Sequence, residues 1–417
     1  MTLQSVELFA GAGGLAMGVA MAGFQSRGIV EWDRWACDTV RQNKERGHPL
    51  VESWPVHEGD VRQWIRNFAG SGLATGVDLV AGGPPCQPFS MGGKHRAFND
   101  HRDMFPAAVE VVRTLRPRAF VFENVKGLTR ASFHTYFQYI QLQLEWPEIV
   151  RRVDESWNDH LARLQSHKTK ARRGAVGLQY RVVTTLVNAA NFGVPQRRER
   201  VFMVGFRSDV DAQWSFPRET HSLDALLHDQ WVSGDYWEQH RVAKRHRPEM
   251  PANHTGLIAR LRGLGLPPMH QPWQTVRDAL IGLPEPRETE HPRILNHRLQ
   301  AGARSYPGHT GSPLDLPAKT LKAGDHGVPG GENMLVRPDG SIRYFTVRES
   351  ARLQNFPDGY ELHGSWSEAM RQLGNAVPVR LGQVVASSVA EHLLRDDERR
   401  AVAALKTDRD HVARVAA

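Results

Sequence analysis

Cys86, Glu123 and an arginine cluster stand at the ends of short apolar runs in this 417-residue chain. Cys86 lies in Pro84-Pro85-Cys86-Gln87-Pro88-Phe89-Ser90, directly after Val77-Asp78-Leu79-Val80-Ala81-Gly82-Gly83. Glu123 closes Ala119-Phe120-Val121-Phe122, and Gln196-Arg197-Arg198-Glu199-Arg200 leads into Val201-Phe202-Met203-Val204. An isolated cysteine is commonly an inert small hydrophobe. What distinguishes Cys86 is a strand end broken by Gly-Gly and stiffened by Pro-Pro, which aims the thiol in one direction. A thiol, a carboxyl and arginines gathered along one edge suit a pyrimidine. The thiolate would add to C6, a protonated carboxyl would donate to N3, and the arginines would hold O2 or a phosphate. Addition at C6 turns C5 into a carbon nucleophile able to accept a methyl group, which C5 alone is too weak to do.

The elements that must carry these groups follow the rhythm of a doubly wound α/β sheet. Val6-Glu7-Leu8-Phe9, Gly28-Ile29-Val30-Glu31, Val77 to Val80, Ala119 to Phe122 and Arg200 to Val204 are short apolar runs separated by longer amphipathic stretches. From about Glu145 to Arg173 a charged surface helix and a basic loop are expected, with Ile149, Val153, Trp157, Leu161 and Leu164 at helical spacing. Between about Arg207 and Arg343 the pattern dissolves into Pro, Gly, His, Arg and Trp, the composition of an irregular, loop-rich domain. Helical spacing returns at Leu381, Val384, Val385, Val389 and Leu393. The expected division is therefore a large domain from residues 1–206 plus 370–395, a small domain at 207–345, a hinge at 346–369 and a charged tail at 396–417, read as a frayed helix.

At the other end of the same edge, Phe9-Ala10-Gly11-Ala12-Gly13-Gly14-Leu15 follows the first strand and opens a helix, allowing backbone N–H groups to approach a ligand. Ala16 stands where the third glycine of the dinucleotide fingerprint would fall. Glu31-Trp32 closes the second strand with a carboxylate for ribose hydroxyls and an indole for stacking, and Asp60 offers another acceptor, so the set fits a nucleoside.

Composition narrows the partners. A formal net charge of +8 and a pI near 9.7 favour a polyanion. Two cysteines cannot build a disulfide framework or a Cys-rich zinc site, and no apolar run reads as a signal peptide or membrane span. A zinc-dependent base deaminase needs a second cysteine three residues after the first, and Phe89 occupies that position. An oxidoreductase using a dinucleotide accounts for the Gly-rich turn alone.

Six blocks in order resemble the bacterial DNA cytosine-5 methyltransferases: Glu7 to Leu15, Pro84 to Ser90, Glu123-Asn124-Val125, Gln196 to Arg200, Arg348-Glu349-Ser350-Ala351-Arg352-Leu353-Gln354-Asn355-Phe356-Pro357 and Gly374-Asn375-Ala376-Val377-Pro378. The resemblance implies an S-adenosylmethionine-dependent, Rossmann-like large domain with a smaller target-recognition domain inserted, and no metal. It implies Cys86 as nucleophile, Glu123 as the N3 partner, and Arg198 and Arg200 as substrate-positioning arginines. Phe9, Gly11, Gly13, Leu15, Glu31, Trp32, Asp60, Pro84, Asn375 and Val377 would line the cofactor site. Glu7 departs from the aspartate of many relatives. Gly92-Gly93-Lys94-His95-Arg96 and the residues up to Asp103 would form a loop closing over a base flipped out of duplex DNA. In the recognition region His297, Arg298, Arg304, His309, Lys319, Lys322 and His326 would grip phosphates or read guanine, and Thr320-Leu321 matches a short family element. A monomeric, cytoplasmic, nucleoid-associated enzyme is expected, paired functionally with a restriction endonuclease without a stable complex. The alternatives are a transfer-RNA cytosine-5 methyltransferase of the same fold, which would share the catalytic residues, and a non-catalytic DNA-binding regulator.

Overall fold

The computed structural model describes residues 2–70, 75–85, 103–170, 177–305, 310–323 and 333–415, with side chains as far as residue 406. Its centre is a seven-stranded sheet built from β1 (Gln4–Leu8), β2 (Gln25–Glu31), β3 (Val56–Glu58), β4 (Leu79–Gly82), β5 (Ala119–Val125), β6 (Tyr180–Asn188) and β7 (Glu199–Arg207). The strand order is β3-β2-β1-β4-β5-β7-β6. The first five are mutually parallel, whereas β7 runs antiparallel to both β5 and β6. Around them lie α1 (Gly14–Met21), α2 (Arg34–Glu45), α3 (Val61–Gly70), α4 (Phe105–Leu115), α5 (His134–Glu145) and α6 (Trp157–Lys170). This is the doubly wound α/β architecture expected from the apolar runs. β3 and β6 were not anticipated, although Arg181-Val182-Val183-Thr184-Thr185-Leu186-Val187 is rich in β-branched residues.

Strand order and register together create the site. The chain winds outward from β1 through β2 to β3, then returns to add β4 on the other flank, so a crevice opens at the β1/β4 switch point. Leu8 pairs with Val30 and Gly82, and Gly82 with Phe122, which brings the carboxyl ends of four strands level. The antiparallel entry of β7 sets Arg200 opposite Val125, next to the end of β5.

The region after β7 is made of short pieces: β8 (His221–Ser222), α7 (Leu223–His228), α8 (Asp235–Gln239), α9 (Thr255–Leu264), β9 (Gln271–Pro272), α10 (Val276–Ala279), β10 (Ser312–Pro313), β11 (Met334–Val336) and β12 (Ile342–Tyr344). Two small apolar clusters, one around Leu226, Tyr236 and Trp237 and one around Leu227, Ile258 and Leu261, hold part of it together. The chain then returns through α11 (Val347–Leu353) and α12 (Trp366–Asn375) to α13 (Val379–Val415).

Leu381, Val385, Val389 and Leu393 of α13 are buried in one core cluster with Leu15 and Val19 of α1. Their contact depends on glycine: a Cβ on Gly18 would sit 2.4 Å from the Gln383 amide nitrogen, and one on Gly14 would sit 2.3 Å from the Val377 carbonyl. The stretch from Asp396, expected as a charged helix, continues α13 unbroken, and the buried Asp396 pairs with Arg118 at 3.2 Å and Arg400 at 2.8 Å. One expectation is corrected. The helix expected from about residue 145 begins at Trp157, and Val153 lies 98% exposed before it.

Candidate active site

A cavity of about 1320 Å³ opens along the carboxyl ends of β1, β2, β4 and β5. Phe9, Gly11, Leu15, Glu31, Trp32, Asp60, Pro84, Asn375 and Val377 all line it, and so do Glu123 and Arg200 at its opposite end. Sequence reasoning therefore gathered eleven of its residues onto one surface. Two expected members lie elsewhere. Gly13 is absent from the wall. It sits at φ +91° at the start of α1, and a Cβ there would meet the Trp54 ring at 3.0 Å, so this glycine serves the turn and its packing. Arg198 is fully buried behind the wall, where its Nη1 donates to the Leu321 carbonyl at 3.1 Å and its Nη2 to the Gly374 carbonyl at 2.6 Å. It ties the Leu321 segment to the Gly374 turn. Cys86, His309, His326 and the closing loop at 92–102 lie outside the described residues.

At the first end, Gly11 takes φ +55° with nothing within 4 Å of a Cβ position, which leaves its backbone open to a ligand. The Glu31 carboxylate accepts from the amides of Gly11 at 2.7 Å, Trp32 at 2.8 Å and Asp33 at 2.7 Å, fixing its direction. Burial raises the Glu31 carboxyl above the ordinary range, against those three amides. The Trp32 indole is 72% exposed although it lines the cavity, an unusual exposure for so large an apolar face. A carboxylate, an open indole and free backbone around a roomy cleft fit an adenosine with a charged tail, so the donor set suits S-adenosylmethionine. Glu7 lies beneath this end, and Ser26 Oγ donates to its Oε2 at 2.5 Å while Oε1 is buried without a hydrogen-bond partner. Burial pushes its carboxyl up to about 7.

At the second end, Arg200 Nε meets Glu123 Oε1 at 2.7 Å, with both side chains about nine-tenths buried. Burial raises the Glu123 carboxyl and outweighs the opposing attraction of Arg200 and Arg198. Gly83 leaves room for this carboxyl: a Cβ there would come within 3.2 Å of Glu123 Oε2. Asn124, for which the sequence pattern alone indicates no role, donates from Nδ2 to the Pro84 carbonyl at 2.9 Å, and the Met104 amide donates to the Pro85 carbonyl at 3.1 Å. The two residues before Cys86 are thus clamped from two sides. Gln196 was also missed as an individual contributor; buried, it accepts the Leu321 amide at 3.1 Å, while the Pro195 carbonyl accepts the Ala318 amide at 2.9 Å.

Among the recognition-region candidates, Lys322 lines the cavity and Thr320 Oγ1 donates to the Arg197 carbonyl at 2.7 Å. Lys319 reaches Thr310, and Arg298 donates to the Glu288 carbonyl. Arg304 is exposed. His297 is corrected: it is buried with Nε2 2.7 Å from the Pro284 carbonyl and Nδ1 3.1 Å from Thr346 Oγ1, which withdraws both nitrogens from any DNA.

The sequence profile of the C-5 cytosine-specific DNA methylases matches residues 3–146 and 174–391. The chain belongs to this family. As a C-5 cytosine-specific DNA methylase it is 30% identical over 406 residues to the Type II methyltransferase M.XorII of Xanthomonas oryzae pv. oryzae, covering 94% of this chain and 86% of that protein. It is 28% identical to M.AplI of Arthrospira platensis over 391 residues, with 93% and 85% covered. M.NgoMIV of Neisseria gonorrhoeae is 27% identical, with 95% and 100% covered. Two solved structures share the fold. A candidate DNA modification methyltransferase encoded within an Escherichia coli prophage has a TM-score of 0.57 at 20% identity, with 94% and 99% covered. The S. pombe Dnmt2 methyltransferase has a TM-score of 0.53 at 17% identity, with 94% and 98% covered.

Proposed function

We propose that this C-5 cytosine-specific DNA methylase methylates C5 of a cytosine turned out of duplex DNA, with Cys86 as nucleophile and S-adenosyl-L-methionine as donor. The observation that carries the reading is the buried Glu123–Arg200 pair at 2.7 Å, sharing one cavity with the Glu31 and Trp32 end and adjoining the residues that precede Cys86. When bound, S-adenosyl-L-methionine supplies an electrophilic methyl group. Phe9, Gly11, Leu15, Glu31, Trp32, Asp60, Pro84, Asn375 and Val377 would hold it.

The protein's own groups act on the base. The Cys86 thiolate forms a bond to C6, and the displaced ring electrons make C5 nucleophilic. Glu123, whose carboxyl burial shifts towards the protonated form, gives its proton to N3, so charge does not accumulate on the ring. Arg200 holds the carboxyl in place and bears a donor edge towards the cleft. After C5 is substituted, its proton leaves to solvent, the C6–sulfur bond breaks to release Cys86, and N3 returns its proton to Glu123. Arg198 holds the wall in register from behind.

Fluorine at C5 blocks that last step, because it cannot leave as a proton does. Duplex DNA carrying 5-fluorocytosine at the target, with S-adenosyl-L-methionine, is therefore expected to give a covalent protein–DNA species stable in denaturant, and Cys86→Ala is expected to give none. A stable adduct formed by Cys86→Ala would overturn the assignment.

The Type II names of the relatives support a place in a restriction-modification system, and we read a functional pairing with a restriction endonuclease without a stable complex. No helix among the described residues is long and apolar enough to cross a membrane. Among the same residues no cluster of three His, Cys, Asp or Glu stands ready for a metal ion. A monomeric enzyme working on cytoplasmic DNA remains our reading. A transfer-RNA substrate is the competing one, and the match to the C-5 cytosine-specific DNA methylases and the Type II names of the relatives favour duplex DNA.

A further inference from the structure

The cations around the cleft are mostly engaged. Arg200 is held by Glu123, Lys126 pairs with Glu199 at 2.7 Å, and Arg371 pairs with Asp33 at 2.8 Å and with Glu368. Arg130 differs. It lines the same cavity as Glu123 and Arg200, its side chain is exposed, and it meets no acceptor among the described residues.

Its mount is rigid. Arg130 joins two single 3-10 turns, Lys126–Thr129 and Ala131–Phe133. Its amide donates to the Gly127 carbonyl at 3.3 Å and its carbonyl accepts the Phe133 amide at 2.9 Å. Leu128, two residues earlier, is fully buried and pins the first turn to the core. The guanidinium therefore projects from a backbone point set by the fold, on the turn that follows directly on the Glu123 strand.

A base drawn into this cleft brings its own phosphates to the rim. Those phosphates need charge-assisted donors, and a guanidinium offers two in parallel. We infer that Arg130 is a phosphate clamp on the DNA strand carrying the target cytosine. It positions the nucleotide entering the cleft and takes no part in the bond changes at the base. The inference rests on the duplex-DNA reading above.

The test compares Arg130→Ala and Arg130→Lys with wild type, using Arg395→Ala as a charge-matched control on the exposed face of α13, where Arg395 pairs weakly with Glu391 at 3.6 Å. Initial rates and binding are measured on duplexes with and without the target, across a salt series. Arg130→Ala is expected to raise KM for DNA roughly tenfold with kcat little changed, the effect of losing one charge-assisted hydrogen bond. Its log–log salt slope should be shallower by about one, equally on both duplexes, as a backbone contact requires. Arg130→Lys should restore the salt slope and only part of the affinity, while affinity for S-adenosyl-L-methionine stays at the wild-type value in all variants. An unchanged KM and slope in Arg130→Ala would overturn the inference. So would an equal loss in Arg395→Ala, which would reflect net charge alone, or a loss confined to the target duplex, which would mark base reading. Wild-type protein that methylates transfer RNA and leaves DNA unmodified would instead remove the underlying reading.

Discussion

Glu123 and Arg200 meet at 2.7 Å because an antiparallel strand is inserted beside β5: β7 enters the sheet opposite the end of β5 and delivers Arg200 where a parallel strand would have placed its far end. The pair is buried, yet burial raises the carboxyl instead of leaving it a simple ion-pair partner. The arrangement holds a proton donor in one orientation.

Glu123→Gln keeps the shape and removes the transferable proton. We expect kcat to fall by about a hundred- to ten-thousand-fold, the usual worth of a general acid, with S-adenosyl-L-methionine affinity retained. In wild type the rate should also decline as pH rises through the raised Glu123 value, since the proton donor is then lost, and this limb should vanish in the variant. Single-turnover kinetics across pH measure both. A variant with near wild-type rate would exclude Glu123 as the donor.

Glu7 should make stability depend on pH. Its carboxyl is raised from 4.5 to about 7 by burial, so between these values the folded chain holds a proton that the unfolded chain has released. The stabilisation from that proton is full below about 4.5 and is lost as pH rises towards 7. The span corresponds to on the order of 3 kcal/mol. Glu7→Gln should show a flatter profile and gain on wild type above neutrality in urea unfolding at pH 5 and pH 8. Parallel profiles would refute the linkage.

Arg198→Met should destabilise the chain by about 3 kcal/mol, because the Leu321 and Gly374 carbonyls lose a charged donor in a site without access to water. Cofactor and DNA affinity should fall together, since one guanidinium braces the Gly374-Asn375 turn and the Thr320-Leu321 segment at once. Unfolding midpoints and two binding titrations suffice, and wild-type values in all three would remove Arg198 from its positioning role.

Gly18→Ala places a methyl group against the backbone of α13, 2.4 Å from the Gln383 nitrogen. Neither helix backbone can yield as a flexible side chain would, so the clash should outweigh the better helix propensity of alanine. A loss of about 2 kcal/mol is expected. Greater stability in the variant would show that the two helices separate freely.

Much of this was legible before any coordinates. The five apolar runs became β1, β2, β4, β5 and β7, and eleven expected residues line one cavity, because strand ends in such a sheet converge wherever the register is level. The two arginines part because Arg198 precedes β7, which begins at Glu199, and its guanidinium is taken up by the Leu321 and Gly374 carbonyls, groups far off in the sequence. Gly13 carried an ambiguity between a glycine that lines a ligand site and one that serves a left-handed turn. His297 was read from its basic neighbourhood, whereas the Pro284 and Thr346 groups that consume its nitrogens come from distant parts of the sequence. β6 passed unnoticed because its alternation, with Arg181 and Thr184 between apolar residues, resembles an exposed linker until β7 pairs with it.

The central claim is that the product is a cytosine methylated at carbon. Mass spectrometry of nucleosides from duplex DNA and from transfer RNA, each incubated with the protein and S-adenosyl-L-methionine, tests it most directly. The account predicts 5-methylcytosine in the DNA digest, none in the transfer-RNA digest, and none from Cys86→Ala. N4-methylcytosine or N6-methyladenine in the DNA, or 5-methylcytosine made by Cys86→Ala, would contradict it.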